Sequence, residues 1–167
     1  MEHPSFHYSR KLKHPFLLMA FVMKLLTAIG QQDVIRVQPC SDSLITRQVD
    51  SLKDFYLKNG FSLLREAIVT MESEYELPVV VPLKEGSWYE FVFIGDHTSQ
   101  LYEVRMYDWD EKMVVYQKKQ WGDVDGNIIS YSYIPKFTEY HMMKPVQVNK
   151  HKKKLCGCVM LFVKTKK

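Results

Sequence analysis

The stretch that decides the fold is residues 87–118, SWYEFVFIGDHTSQLYEVRMYDWDEKMVVYQK. Its segments alternate like strands whose successive side chains point to opposite faces of a sheet. In LYEVRMY (residues 101–107), tyrosine, valine and methionine face one way, and glutamate and arginine face the other. Turn-forming residues separate the segments, at 95–97 (GDH) and 108–111 (DWDE). Connections this short predict consecutive antiparallel strands.

Further strand signals recur on both sides of this stretch, at 76–83, 127–134, 138–148 and 155–164. Two prolines restrict the segment 76–83 to a sheet edge or a bulge. Residues 61–72 (FSLLREAIVTME) fit either a strand or a second helix. We favour the strand, because the chain downstream is rich in β signals. The sequence therefore predicts a mainly β fold, a jelly-roll-like antiparallel β-sandwich of two sheets over residues 61–167.

One amphipathic helix is expected before the sandwich, over residues 42–58. Ile45, Val49 and Leu52 recur at helical spacing, and a Ser-Asp-Ser run ahead of them supplies N-cap residues. Asn59-Gly60 ends the pattern. Residues 31–60 are thus interpreted as a linker or first edge strand followed by this helix.

The first 30 residues have the features of a secretory signal peptide. Basic residues at positions 10, 11 and 13 precede the apolar run 15–29, and Ala28 and Gly30 form a small-x-small exit. A membrane anchor and a buried helix are the alternatives, although about 15 residues rise only about 22 Å as a helix. The residue directly after Gly30 is Gln31, where a lipid-anchored lipoprotein would have cysteine. We expect an exported protein, periplasmic or extracellular and not lipid-anchored.

Composition excludes several classes of protein. The chain has 167 residues, 46% hydrophobic and 25% charged, with 7 Gly and 7 Pro, which excludes collagen-like and largely disordered chains. The net charge of +4 is unevenly distributed, since residues 31–135 are acidic and the ends are basic. After signal removal the chain is nearly neutral, with an acidic body and a lysine-rich final hairpin. Net charge therefore does not imply nucleic-acid binding.

The three cysteines, Cys40, Cys156 and Cys158, all lie after the signal region. Cys156 and Cys158 would share one face of a strand, where joining them to each other strains a short loop. A bridge from Cys40 to one of them is the favoured interpretation, leaving one thiol unpaired. Three buried, reduced cysteines are the alternative.

The order of motifs over about residues 76–164 resembles the bacterial pre-peptidase C-terminal (PPC) domain. The segment LKEGSWYEFVFIGDHTSQLYEVRMYDWDEKMVV (83–115) is similar to its strand, Gly-Asp turn and Tyr-Asp hairpin, and YSYIPKFTEYHM (131–142) is similar to its aromatic-Pro segment. The whole chain is also similar to small exported proteins of Bacteroidota. The resemblance implies a jelly-roll-like sandwich with an accessory or binding role.

Two groups of residues are candidate sites. In GDVDGN, the residues Asp123, Asp125 and Asn127 place oxygen ligands around a glycine, as a calcium loop requires, and acids from other turns at 96, 108 and 110 are expected near them. A plain Asp-Gly hairpin turn is the favoured interpretation, and a calcium loop is the alternative. No cofactor is expected otherwise. Trp109, between Asp108 and Asp110, and Trp121 lie near predicted turns and are candidate contacts for a glycan or peptide. Rings that pack inward to seal the core are the alternative.

The lysine run is the largest charge cluster, and it comprises Lys150, Lys152, Lys153 and Lys154. We interpret it as a solvated hairpin tip, with peripheral attraction to an anionic envelope surface as the alternative. Nucleic acid is not an expected partner.

The sequence favours a non-enzymatic, exported binding or accessory module at the bacterial cell envelope, with a glycan, peptide or envelope protein as partner. The alternatives are a hydrolase using Asp108, Asp110 or Asp123, and a structural envelope component that oligomerises through an edge strand.

Overall fold

A computed structural model describes residues 39–124 and 126–165 of the chain. These residues form one helix and eight strands. In chain order they are α1 (Ser43–Lys58), β1 (Phe61–Glu72), β2 (Val79–Leu83), β3 (Tyr89–Gly95), β4 (Leu101–Tyr107), β5 (Met113–Gln120), β6 (Ile128–Tyr133), β7 (Glu139–Val148) and β8 (Lys154–Lys164). The expected helix and the strand over residues 61–72 are both confirmed. The signal-peptide prediction for residues 1–30 lies outside the described residues, as does most of the linker predicted at 31–40.

The strands form two four-stranded antiparallel sheets. The order in sheet A is β1-β8-β3-β6, and the order in sheet B is β2-β7-β4-β5. Strands 1 and 8, 3 and 6, 2 and 7, and 4 and 5 are partners, which is the pattern produced when one long hairpin is rolled into two facing sheets. The predicted jelly-roll-like sandwich is confirmed.

The core between the sheets follows the predicted alternation. Phe91 and Phe93 of β3 face Val104 and Met106 of β4, and all four are at most 1% exposed. The ring of Phe91 stacks on that of Tyr131 with centroids 5.2 Å apart. Full burial of one phenylalanine or methionine side chain contributes about 1.5 to 3 kcal/mol, so these strands supply much of the stability.

Helix α1 covers the outer face of sheet A. Asp42 caps it, since its Oδ1 accepts hydrogen bonds from the amides of Leu44 (2.8 Å) and Ile45 (3.0 Å). Its apolar stripe, which includes Ile45 and Val49, packs on side chains of β3 and β8 such as Met160. β3 is consequently buried on both faces. In the described part of the chain, no such helix covers the outer face of sheet B.

A disulfide joins the residues just before α1 to the sandwich. Cys40 bonds Cys156 of β8, with Cα atoms 5.8 Å apart. This confirms the favoured interpretation that Cys40 pairs with one of the two cysteines on the last strand. Cys158 remains a buried free thiol, and burial, with the nearby carboxylate of Glu66, raises its pKa to about 12.

Candidate functional site

The connections of the sandwich fall at two opposite ends. We call the end formed by the loops after β1, β3, β5 and β7 the Trp121 end, and the end formed by the loops after β2, β4 and β6 the Trp109 end. β5 runs between them, and its eight residues span roughly 26 Å. Asp108 and Asp110 therefore lie far from Asp123, and the expected grouping of these acids around one loop is not what the structure shows.

A buried carboxylate organises the Trp121 end. Asp96 is fully buried, and its Oδ2 lies 2.7 Å from the ammonium of Lys152. Its Oδ1 accepts hydrogen bonds from the hydroxyl (2.6 Å) and the amide (3.0 Å) of Thr98. Burial raises the pKa of this carboxyl, but Lys152 and Thr98 outweigh that effect and lower the pKa from 3.8 to about 2. Lys152 of the predicted lysine run is thus committed to an internal ion pair.

Gln147 ties three strands together beneath this carboxylate. Its Oε1 accepts a hydrogen bond from the amide of Asp96 (2.8 Å), and its Nε2 donates to the carbonyl of Cys156 (3.0 Å). The close approach requires glycine at position 95, because a Cβ there would lie 2.5 Å from the ring of Tyr102. The Gly-Asp pair of the sequence is therefore a packing requirement of this end.

A continuous groove runs from the Trp121 end along β6, beside α1. We call it the α1–β6 groove. It begins as a depression of about 200 Å³ that includes His97, Trp121, Asp123 and Asn127. A second depression, of about 340 Å³, shares His97 and Asn127 with the first and is walled by Arg47.

Two further depressions continue along the strand. The third, of about 380 Å³, shares Gln48 and Ser51 with the second and includes Ser130. The fourth, of about 430 Å³, includes Ser132 and is lined by Trp88 and Ile134. The first three depressions share lining residues and therefore form one groove beside α1. The fourth shares no residue with the third, but it lies two residues farther along β6, at Ser132, and we include it as the end of the groove.

The groove has a rigid frame. Gln48 of α1 and Asn127, just before β6, exchange two amide hydrogen bonds of 3.1 and 2.9 Å. At the other end, buried Glu90 accepts hydrogen bonds from the hydroxyls of Tyr56 (3.1 Å) and Ser132 (2.5 Å). Burial, and then the charge of Glu90, raises the pKa of Tyr56 to about 12. Helix and strand are therefore held at a fixed separation.

Two of the three candidate calcium ligands, Asp123 and Asn127, are among the described residues. Asp123 Oδ2 accepts the amide hydrogen of Gln120 at 2.7 Å, which closes a turn, and Asn127 is bonded to Gln48. Asp125 lies outside the described residues. Among residues 39–124 and 126–165, no group of three or more His, Cys, Asp or Glu side chains is placed to hold a metal ion.

The Trp109 end carries a separate aromatic pair. Trp109 is 67% exposed and Tyr140 is 53% exposed, and their rings lie 6.2 Å apart. Asp108 closes the hairpin, because its Oδ1 accepts the amide hydrogen of Lys112 at 2.8 Å. Beside this pair, Lys144 Nζ lies 5.1 Å above the ring of Tyr107. Trp109 and Trp121 thus belong to different surfaces.

Sequence reasoning missed the walls of the groove. Gln48 and Ser51 lie on a flank of α1 that its apolar stripe does not mark, and Ser130 and Ser132 are simply the polar positions of an alternating strand. The one signal available was the segment IISYSY (128–133), a strand without charge or proline.

No helix in the described ranges is long and apolar enough to cross a membrane. No family model matches the chain, and no curated protein is significantly similar to it.

Two solved structures are similar to part of the chain. The chain is similar to the CBM22-1–GH10 modules of Clostridium thermocellum endo-1,4-β-D-xylanase 10B complexed with xylohexaose, at 13% identity and a TM-score of 0.35, over 65% of this chain and 26% of that one. It is also similar to a structure from infectious bursal disease virus strain Gx, at 13% identity and a TM-score of 0.25, over 62% of this chain and 33% of that one. The chain thus spans a third or less of either neighbour, and likeness at this level does not bear on function.

Proposed function

We propose that the protein is a non-enzymatic binding module, exported to the bacterial cell envelope, and that its ligand occupies the α1–β6 groove. The observation that carries the proposal is the groove itself, in which three depressions with shared lining residues lead to Ser130 of β6 and a fourth lies at Ser132 and Tyr133. Binding sites are concave and largely preformed, with a few fixed polar groups among apolar ones. Gln48, Asn127 and Ser132 are polar groups of this kind.

Binding is favoured over catalysis by the state of the acidic groups. Asp96 directs both oxygens into hydrogen bonds and an ion pair. Beneath the groove, each carboxylate oxygen of Glu90 accepts a hydrogen bond, one from Tyr56 and one from Ser132. Asp123 closes its own turn. Carboxylates engaged in this way hold the backbone in place and have little freedom to transfer protons to a ligand.

Two observations support export. The Cys40–Cys156 disulfide is of a kind that persists in oxidising compartments such as the periplasm. The PPC-like motif order also favours an accessory module of an exported protein, and the Gly-Asp turn of that motif is the one that Gln147 and Lys152 hold at the Trp121 end.

A groove-filling substitution tests the proposal. Ser51 is exposed and lines two of the depressions, so Ser51→Trp should abolish binding to ligands selected from a glycan array and a displayed peptide library. Asp50→Trp is the matched control, because Asp50 is exposed on the same helix, is turned about 100° away from Ser51 and lines none of the four depressions. Retained binding by Ser51→Trp, or equal loss in both variants, would remove the groove as the site.

A second candidate function rests on the aromatic pair at the Trp109 end. Exposed rings of Trp109 and Tyr140 can stack on the apolar faces of sugar rings, and the exposed carboxylate of Asp110 can accept hydrogen bonds from sugar hydroxyls. We propose this surface as a glycan contact that is independent of the groove. Glycan binding lost in Trp109→Ala but kept in Ser51→Trp would establish it.

A further inference from the structure

The side of β6 that faces away from β3 is an open sheet edge. β6 is the terminal strand of sheet A. The carbonyl of Asn127 accepts the amide hydrogen of Gly95 at 2.7 Å. Hydrogen bonding in an antiparallel pair alternates from residue to residue. The backbone groups of residues 129, 131 and 133 therefore point to β3. Those of residues 128, 130 and 132 point outward, where no other strand of the described chain pairs with them.

β6 lacks the devices that protect the other three edge strands of the sandwich. β1 has a bulge between Leu63 and Arg65, β2 contains Pro82, and β5 carries Lys118 and Lys119. Bulges, prolines and lysines all discourage pairing with another chain. β6 has none of them and, at six residues, is roughly 20 Å long. An edge of ordinary length without protection is suited to pairing.

The groove lies beside this open edge. Ser130 and Ser132 are exposed, small side chains, so an incoming backbone can approach the strand closely. Helix α1 forms the opposite wall with Gln48 and Ser51. A row of alternating backbone donors and acceptors is matched most completely by another extended backbone, and a helix beside an edge strand then holds the alternate side chains of that backbone.

The charges along the groove define the partner further. Arg47 lines the second depression, and Lys119, which lines the third, also donates to the carbonyl of Val124. None of the described lining residues of these two depressions is acidic, whereas Asp123 lines the first. Along the second and third depressions, an acidic segment is therefore favoured over a basic one by charge complementarity.

We propose that the ligand is an extended, acidic polypeptide segment of a partner protein, which adds to sheet A as a fifth strand along β6. This inference rests on the proposed function and names the ligand class of the same groove. A glycan and a second copy of this chain are the competing occupants.

The test uses peptides selected on the full oxidised chain from a displayed library of random 12-residue sequences. Each backbone amide of a selected peptide is then N-methylated in turn. Addition to an edge strand predicts a period of two, because alternate peptide amides face β6: methylation of those amides should weaken binding about tenfold or more, and methylation of the intervening amides should have little effect. The peptide scan leaves the fold of the protein unperturbed.

A protein variant tests the same contact from the other side. Ser130→Pro removes an outward amide without touching the β3 ladder, and should weaken peptide binding about tenfold. Ser130→Ala, which keeps the amide, is the matched control and should bind normally.

Three results would overturn the proposal: no peptide is enriched, methylation shows no period of two, or the chain forms a dimer that Ser130→Pro dissociates. If a glycan binds and Ser51→Trp abolishes that binding, the groove stands as a binding site and the polypeptide ligand is wrong. If a selected peptide shows the period of two but Ser51→Trp does not affect it, the edge contact stands and the groove does not.

Discussion

Replacing Asp96 by asparagine should remove a pH-dependent part of the stability. The pKa of this carboxyl falls from 3.8 to about 2 on folding, because Lys152 and Thr98 outweigh the effect of burial. A shift of that size is worth about 2.4 kcal/mol. Since the folded-state pKa is the lower one, this stability is fully present above about pH 5 and is lost as the pH falls through the unfolded value towards the folded value.

Urea unfolding at several pH values between 5 and 2 measures the effect. The free-energy difference between wild type and Asp96→Asn should shrink by about 2.0 kcal/mol across that range, because at pH 2 the folded-state carboxyl is only half protonated and titrations common to both proteins cancel. Asp54→Asn is the control, because its carboxylate is 72% exposed and its difference from wild type should stay nearly constant. A pH-independent difference for Asp96→Asn would refute the assignment of a charged, internally paired Asp96.

Three other substitutions have defined outcomes. Gly95→Ala should cost about 2 to 3 kcal/mol by urea unfolding, because the ring of Tyr102 would have to move; an unchanged midpoint would contradict the packing described. Cys40→Ser should lower the free energy of unfolding by about 3 to 5 kcal/mol, because the disulfide closes a loop of 116 residues. The variant's stability should no longer depend on reductant. If reductant leaves the stability of the wild type unchanged as well, the pairing with Cys156 is contradicted. Trp109→Ala should leave the melting temperature unchanged, because the ring is largely exposed, and should reduce any glycan binding at that end; full glycan retention would remove the second site.

Local patterns predicted most of the secondary structure. The alternation in residues 101–107 predicts a strand that the structure bounds identically as β4, and the periodicity and cap of the helix place α1 within one residue. These patterns are set by side chains within one element, so the sequence states them directly. The Cys40 bridge followed from the geometry of residues two apart on a strand.

The site depends on contacts that local patterns do not contain. Asn127 meets Gln48 although 79 positions separate them, and Asp96 meets Lys152 across 56 positions. In the sequence, Trp109 and Trp121 both lie near predicted turns and look alike as candidates. The structure shows that they lie at opposite ends of the sandwich, because β5 runs between them. The open edge of β6 likewise follows from its place in the sheet, which depends on which strands pair and in what register.

Amide hydrogen exchange along β6 tests the central claim most directly. In the free protein, the amides of Ser130 and Ser132 should exchange fast, because they point to the open edge. The amides of Ile129 and Tyr131 should exchange slowly, because they bond β3. A bound peptide should slow exchange at Ser130 and Ser132. Amides of Ser130 and Ser132 that are already as protected as their neighbours in the free protein would contradict the account, because the edge would then be occupied.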